Sequence, residues 1–239
     1  MRITSTYNIS VKKYPYKPAI VTENEIVFYI EWQELVERTA VAFFKEASIH
    51  KRVALFLPNG SLFLQLFAGA SAAGWASIVG DIRWKDQEIK ERLEQTNPDL
   101  IIADDKMKLT FQRFSRRVLY SDEIEKWIHP GLSLPTIQDD TEATFYIGFT
   151  SGSTGKPKAF VRSHTSWIES FRCNQVDLGM TDKEHVLIPG SFVNSTFLYG
   201  ALSTLFLGGT IYLLSKFSRP GLWIIWISTR LLRPMSYQL

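Results

Sequence analysis

The chain has 239 residues, 45% hydrophobic and 21% charged, enough apolar material to bury the core of one large domain or two small ones. Its 27 Lys and Arg against 24 Asp and Glu leave a net charge of +3, and no basic stripe with interleaved aromatics appears, so nucleic acid is not an expected partner. The single cysteine, Cys173, excludes an intramolecular disulfide, and His50, His129, His164 and His185 show no zinc-ligand spacing, so no protein-held metal cluster is expected. Met1 opens onto Arg2 and a polar stretch without the apolar core of a secretory signal, which points to a cytoplasmic setting.

Hydrophobic periodicity predicts an amphipathic helix over Glu31 to Glu46, with Trp32, Leu35, Val36, Ala40 and Phe43 spaced along one face. A buried strand follows at Val53 to Leu57, then a helix over Leu62 to Ala73 and a strand over Ala76 to Val79 ending at Gly80-Asp81. Lys85 to Gln95 reads as a charged helix that stops before Asn97-Pro98, and Leu100 to Ala103 as another strand. The basic segment Lys106 to Arg117 reads as solvated surface, and the polar run Gly131 to Glu142 as a surface connection. After the apolar run Ala143 to Gly148 come a strand near Phe160 to Arg162 and a helix over about Ser166 to Asp177, capped by Ser163 or Thr165. Within that segment His164 reads as a surface or capping residue. Helices and strands alternating with short links predict an α/β fold of mainly parallel sheets flanked by helices.

Val186 to Ser215 carries no charged side chain and has the length of a bilayer span. Pro189-Gly190, Asn194-Ser195-Thr196 and Gly208-Gly209 break it into a turn, an apolar helix over Thr196 to Leu207 and a strand over Thr210 to Leu214. Backbone left unpaired at those breaks would be costly in lipid, so a buried α/β unit is expected and no transmembrane segment.

The densest chemical signal is Phe149-Thr150-Ser151-Gly152-Ser153-Thr154-Gly155-Lys156-Pro157-Lys158. Its glycines allow a tight turn that brings N–H groups up to an anion, its hydroxyls donate, and Lys156 and Lys158 add positive charge. A G-x-x-x-x-G-K-[ST] loop is excluded, because Thr150 stands where the first glycine is required and Pro157 where the hydroxyl should follow the lysine. On residue chemistry alone two readings stay open, a polyphosphate cradle and a plain Gly/Ser linker. The place at the end of a buried strand, where open α/β sheets bind ligands, favours the cradle.

Thr150 to Lys158 resembles the phosphate-loop signature T-S-G-[ST]-T-G-x-P-K of the adenylate-forming (AMP-binding) superfamily, in particular its acyl-CoA synthetases. Weaker similarities stand in the family's order: Ile30 to Leu35, Val53 to Asn59, Ala73-Gly74 with Asp81, and Pro98 to Asp104. The resemblance implies the first half of the family's large N-terminal domain. It also implies ATP and Mg²⁺ as cofactors, coenzyme A as co-substrate, and a fatty or aryl carboxylic acid as substrate. In such enzymes the carboxylate attacks the α-phosphate, pyrophosphate leaves, and the acyl-adenylate passes its acyl group to a thiol. By the same resemblance Thr150, Ser151, Gly152, Ser153, Thr154 and Gly155 would wrap the β- and γ-phosphates, with Lys158 adding charge.

The chain departs from the pattern at Phe149, where tyrosine is common, and at Ala159, where glycine is usual. It departs again at Pro189 to Asn194, which lacks the family's aromatic-histidine pair. Phe192, Asn194 and Phe197 are the candidate pocket residues there, with core and turn roles as the alternative. The resemblance covers about Ile30 to Lys216. The Y-G-x-[ST]-E and T-G-D segments that bind adenine and ribose, and the domain with the catalytic lysine, have no counterpart in the sequence. Residues 1–217 are therefore expected to be a partial adenylation domain, and 218–239 an off-pattern tail that reads as frameshifted. The expected function is an ATP-dependent acyl- or aryl-CoA ligase, impaired in this form; the alternative is a nucleotide-binding remnant or partner subunit without ligase activity.

Overall fold

The computed structural model describes residues 1–128, 140–150 and 157–214. The elements in order are α1 (Tyr7–Lys13), β1 (Pro18–Val21), β2 (Ile26–Phe28), α2 (Tyr29–Lys45), β3 (Arg52–Phe56), α3 (Ser61–Ala72), β4 (Ala76–Val79) and α4 (Asp86–Thr96). They continue with β5 (Leu100–Ala103), the short α5 (Lys108–Phe111), β6 (Val118–Tyr120) and the short α6 (Ile124–Trp127). After these come β7 (Thr144–Thr150), β8 (Lys158–Ser163), α7 (His164–Asp177), β9 (His185–Ile188), α8 (Ser195–Leu207) and β10 (Thr210–Leu213). Among the described residues, no helix is long and apolar enough to cross a membrane.

Local chemistry accounts for where the helices begin. The Glu31 carboxylate accepts from the Phe28 backbone N–H at 2.8 Å, so α2 starts at Tyr29, ahead of the expected Glu31. Glu88 does the same for Lys85 at the head of α4, at 3.0 Å. The Ser163 hydroxyl accepts from Ser166 N–H at 3.3 Å, which settles the choice of cap for α7 and starts that helix at His164. Asn194 caps α8 through Thr196 N–H at 3.0 Å, and Gly208 closes it in the left-handed region at φ 87°.

The strands form a six-stranded sheet, ordered β6-β5-β3-β4-β7-β8, and a four-stranded sheet, ordered β2-β1-β10-β9. The six-stranded sheet is parallel except for β8, which returns antiparallel to β7. In the smaller sheet β1 lies parallel to β10, joining the two ends of the described chain at Ile20 and Ile211. The expected parallel α/β architecture is therefore present, with a second sheet whose β1, β2 and β9 periodicity did not reveal.

Side chains alternate across β3, as a strand requires. Val53 and Leu55 face a core shared by both sheets and by α2, α3, α7 and α8, whereas Ala54 and Phe56 face α4 and α5 through Ile89, Leu93 and Phe111. Helix α3, apolar nearly all round, lies in the shared core, with Leu64, Leu66 and Phe67 fully buried. Its close approach to α2 depends on Gly69, where an added Cβ would stand 2.4 Å from Thr39 Cγ2. The start of the chain is tied down as well: Arg2 Nη1 donates to the carbonyls of Ser71 and Ala72 at the end of α3, at 3.0 and 3.1 Å.

Candidate functional site

Strands β7 and β8 pair as antiparallel neighbours on one side of the six-stranded sheet, and Thr150 and Lys158, the first and last residues of the motif, end one strand and begin the other. Register places Gly148 opposite Phe160, Phe149 opposite Ala159 and Thr150 opposite Lys158. Strand β7 is buried through Gly148 and emerges at Thr150, so Thr150 and Lys158 stand exposed at the mouth of the loop. The Thr150 hydroxyl donates to the Lys158 carbonyl at 3.4 Å. Ser151, Gly152, Ser153, Thr154 and Gly155, like Lys156, lie outside the described residues, as do most of the 131–142 connection and the 218–239 tail.

Alternation divides the hairpin into two faces. On one, Phe149 meets the edge of Trp84 at 5.6 Å, and the Arg92 guanidinium lies 4.0 Å from the Trp84 ring centroid and 5.5 Å from that of Phe149. Phe149, where the resembled pattern has tyrosine, makes this contact through its ring alone. Arg92 is held in place by the Glu88 carbonyl at 3.0 Å. Gln95 Nε2 donates to the Pro157 carbonyl at 3.4 Å, so α4 braces both limbs of the loop. Ala159 is an ordinary strand residue without positive φ, and its methyl group costs the backbone nothing here.

Trp84 is positioned by the turn after β4. Asp81, largely buried, accepts from Arg83 Nε at 2.9 Å, Arg83 Nη2 at 2.6 Å and Arg83 N–H at 2.9 Å. Burial pushes the Asp81 carboxyl up, but these hydrogen bonds and the charges of Arg83 and Arg92 outweigh it and hold the group below the usual carboxylate value.

On the opposite face, Tyr146 and Gly148 of β7 lie beside Phe160 and Arg162 of β8. Gly148 is required there because an added Cβ would stand 2.4 Å from Tyr146 Oη and 2.6 Å from Phe160 Cζ. This face lines a cleft of about 470 Å³ closed by Ser166, Trp167 and Ser170 of α7 and by Ser195, Thr196 and Tyr199 of α8. Tyr199 Oη is fixed by Asn174 Nδ2 at 2.9 Å and Ser170 Oγ at 2.8 Å. Burial pushes the Tyr146 phenol up to about 12, with the Arg162 charge opposing it, so Tyr146 is a neutral hydroxyl at pH 7.

The other candidate residues take varied positions. Phe192 is buried and stacks on Phe63 with centroids 5.0 Å apart, Asn194 is the α8 cap, and Phe197 covers Gly190, whose added Cβ would fall 2.0 Å from its ring. The turn that carries them is clamped by Asn59: its Nδ2 donates to Gly190 O at 2.6 Å and its Oδ1 accepts from Phe192 N–H at 3.0 Å. His164 is not at the surface. It is 1% exposed, stacks on Phe145 at 4.9 Å and accepts from Ile3 N–H through Nδ1 at 3.3 Å, because the helix start turns its ring toward the core. Sequence reasoning did not single out Tyr146, Arg162 and Tyr199; the alternation Lys158, Phe160, Arg162 along β8 is the signal that could have found Arg162, whereas Tyr146 and Tyr199 join it only through tertiary packing.

A smaller crevice, about 200 Å³, lies between the ends of β3 and β5, but its rim carries Glu23, Glu25 and Asp104, whose charges oppose a polyphosphate. Thr150 and Lys158, by contrast, offer a hydroxyl and an ammonium at an exposed loop mouth, a donor set that suits phosphate oxygens. Among the described residues, no group of His, Cys, Asp and Glu side chains is arranged to hold a metal ion.

Comparison with known proteins places this geometry in a family. The family model for AMP-binding enzyme matches residues 8–230, extending beyond both ends of the segment that motif resemblance covered. An uncharacterized acyl-CoA ligase, YhfT of Bacillus subtilis, is 50% identical over 223 residues, covering 91% of this chain and 46% of that protein. The chain thus spans just under half the length of that relative. The inhibitor-bound N-terminal domain of FACL13 from Mycobacterium tuberculosis superposes with a TM-score of 0.85 at 20% identity, over 96% of this chain and 61% of that one. The o-succinylbenzoate CoA synthetase MenE of Bacillus subtilis, in complex with its acyl-adenylate intermediate, gives 0.81 at 18% identity, over 94% and 58%. The solved structures share the fold of mixed α/β sheets flanked by helices, and the family match over nearly the whole sequence establishes that the chain belongs to the AMP-binding enzymes.

Proposed function

We propose that this protein takes part in ATP-dependent activation of a carboxylic acid, forming an acyl-adenylate and pyrophosphate and then a thioester with coenzyme A. The observation that carries the reading is the β7–β8 hairpin, which sets Thr150 opposite Lys158 where the sheet's parallel strands end. ATP, with Mg²⁺, would supply the electrophilic α-phosphate and the pyrophosphate leaving group. Lys158 and the Thr150 hydroxyl would hold phosphate oxygens while negative charge builds on the leaving group, and preorganised donors of this kind stabilise such a transition state strongly. The Phe149, Trp84 and Arg92 contact beneath the loop, with Gln95 on its returning limb, would keep those donors in place. A cytoplasmic setting accords with the lone cysteine.

Pyrophosphate binding to the purified chain, followed by calorimetry, tests the loop: T150A and K158A should each weaken it about tenfold. Unchanged affinity in both variants refutes the assignment. A second reading is nucleotide binding without turnover. Acid-dependent exchange of pyrophosphate into ATP separates the two, since binding without exchange supports the second.

A further inference from the structure

The cleft beside the hairpin has a lining that the loop chemistry does not explain. Arg162 lies over the Phe160 ring at 5.3 Å and makes no ion pair among the described residues. Among the described residues, neither Asp nor Glu lines the cleft, while hydroxyls of Ser166, Ser170, Thr196 and Tyr199 do. Helices α7 and α8 both start at its wall, and neither has an acidic residue in its first turn to offset its positive end. A cavity of about 470 Å³ falls within the range that accommodates a small organic molecule.

Its position relative to the loop follows from strand geometry. Lys158, Phe160 and Arg162 share one face of β8, so the two cations lie about 13 Å apart along the strand with an aromatic ring between them. A ligand with one carboxylate at the loop mouth would extend past Phe160 and Trp167 and end at the guanidinium. An aliphatic tail would leave the exposed Arg162 guanidinium in water and gain nothing from it, whereas a terminal anion would meet a planar fork of donors.

We propose that this cleft receives the acid to be activated, and that Arg162 selects acids carrying a second anionic group at the end remote from the reacting carboxylate, such as α,ω-dicarboxylates. The inference rests on the reading of the protein as a carboxylate-activating enzyme, but the test measures binding without turnover. Suberate and octanoate have the same carbon count and differ at the terminus. Their affinities for the full chain are measured by calorimetry, with quenching of Trp167 as a second signal assigned by W167F.

Suberate should bind about tenfold or more tightly than octanoate. R162Q should abolish that preference while leaving octanoate affinity unchanged, and R162K should retain part of it. Arg162 is exposed, so the thermal midpoint of R162Q should stay close to that of the parent protein. Equal binding of the two acids by the parent, or an unchanged preference in R162Q, overturns the proposal. Pyrophosphate affinity reports the other source of anionic oxygens: if R162Q lowers it as much as suberate affinity, Arg162 serves the nucleotide and the proposal fails. Failure of acid-dependent exchange with the suberate preference intact would remove the ligase reading and leave the binding site standing.

Discussion

Asn59 offers a quantitative check on how the two sheets are held in register at the site. Its side chain leaves the end of β3 in the larger sheet and clamps the turn that leads into α8, donating to Gly190 O at 2.6 Å and accepting from Phe192 N–H at 3.0 Å. Substitution N59A removes both contacts. Each such bond contributes about 1 kcal/mol net, and leaving the Phe192 N–H without an acceptor beside a buried ring adds about 1 kcal/mol, giving about 3 kcal/mol in all. For a domain of this size that corresponds to a fall in thermal midpoint of about 6–12 °C, measured by circular dichroism or scanning calorimetry. N59D sharpens the test because it keeps the acceptor but sets a carboxylate oxygen against the Gly190 carbonyl at neutral pH. Its deficit relative to the parent should shrink as the pH falls through about 4, when the protonated carboxyl can again donate. A midpoint for N59A within about 1 °C of the parent would refute the clamp, as would a pH-independent N59D deficit.

The hairpin supplies a second test: G148A forces a methyl group against Tyr146 Oη and Phe160, and should cost about 1–3 kcal/mol in urea unfolding while weakening pyrophosphate binding. Retention of both properties would show that the strands can part without consequence. R92M removes the guanidinium between Trp84 and Phe149 but keeps an apolar stem, and is expected to weaken pyrophosphate binding several-fold with little loss of secondary structure. Acid should destabilise the fold through Asp81 and Asp99. For Asp99, burial pushes the carboxyl up, but N–H groups of Ile49, Arg52 and His50 and the His50 charge hold it below its ordinary value. Since folding lowers both pKa values, their stabilisation is present above the unfolded value of about 3.9 and is lost as pH falls through the lower folded values. D99N should flatten the stability-pH profile in that window, and an unchanged profile would show that Asp99 contributes nothing to it.

Much of this protein was legible in the one-dimensional text because the responsible forces act between near neighbours. Strands Ala76–Val79 and Leu100–Ala103 were readable to the residue, since short, largely apolar runs bounded by turn residues suit a buried parallel sheet. The helices α2, α3, α4 and α8 were readable from their residue patterns, with the starts of α2 and α8 displaced by two residues and one residue where Glu31 and Asn194 cap them. The motif from Thr150 to Lys158 stood out because glycines, hydroxyls and lysines at that spacing match a family pattern.

Other features depend on pairings between distant segments, which no local pattern specifies. The second sheet forms because β1 pairs with β10 from the opposite end of the described chain, and short strands such as β2 and β9 are stable only within it. His164 looked like a polar residue at a helix start, yet its ring stacks on Phe145, a contact created when β7 and α7 pack together. Arg162 is one basic residue among many until the hairpin register and the approach of α7 and α8 set it in a cleft that no Asp or Glu lines among the described residues. Sequence alone determined the longer helices, several buried strands, the family resemblance and the loop motif, through short-range periodicity and residue chemistry. Tertiary structure alone decided the second sheet, the burial of His164 and the charge of the cleft, because strand pairing and packing bring together residues that the chain order keeps apart.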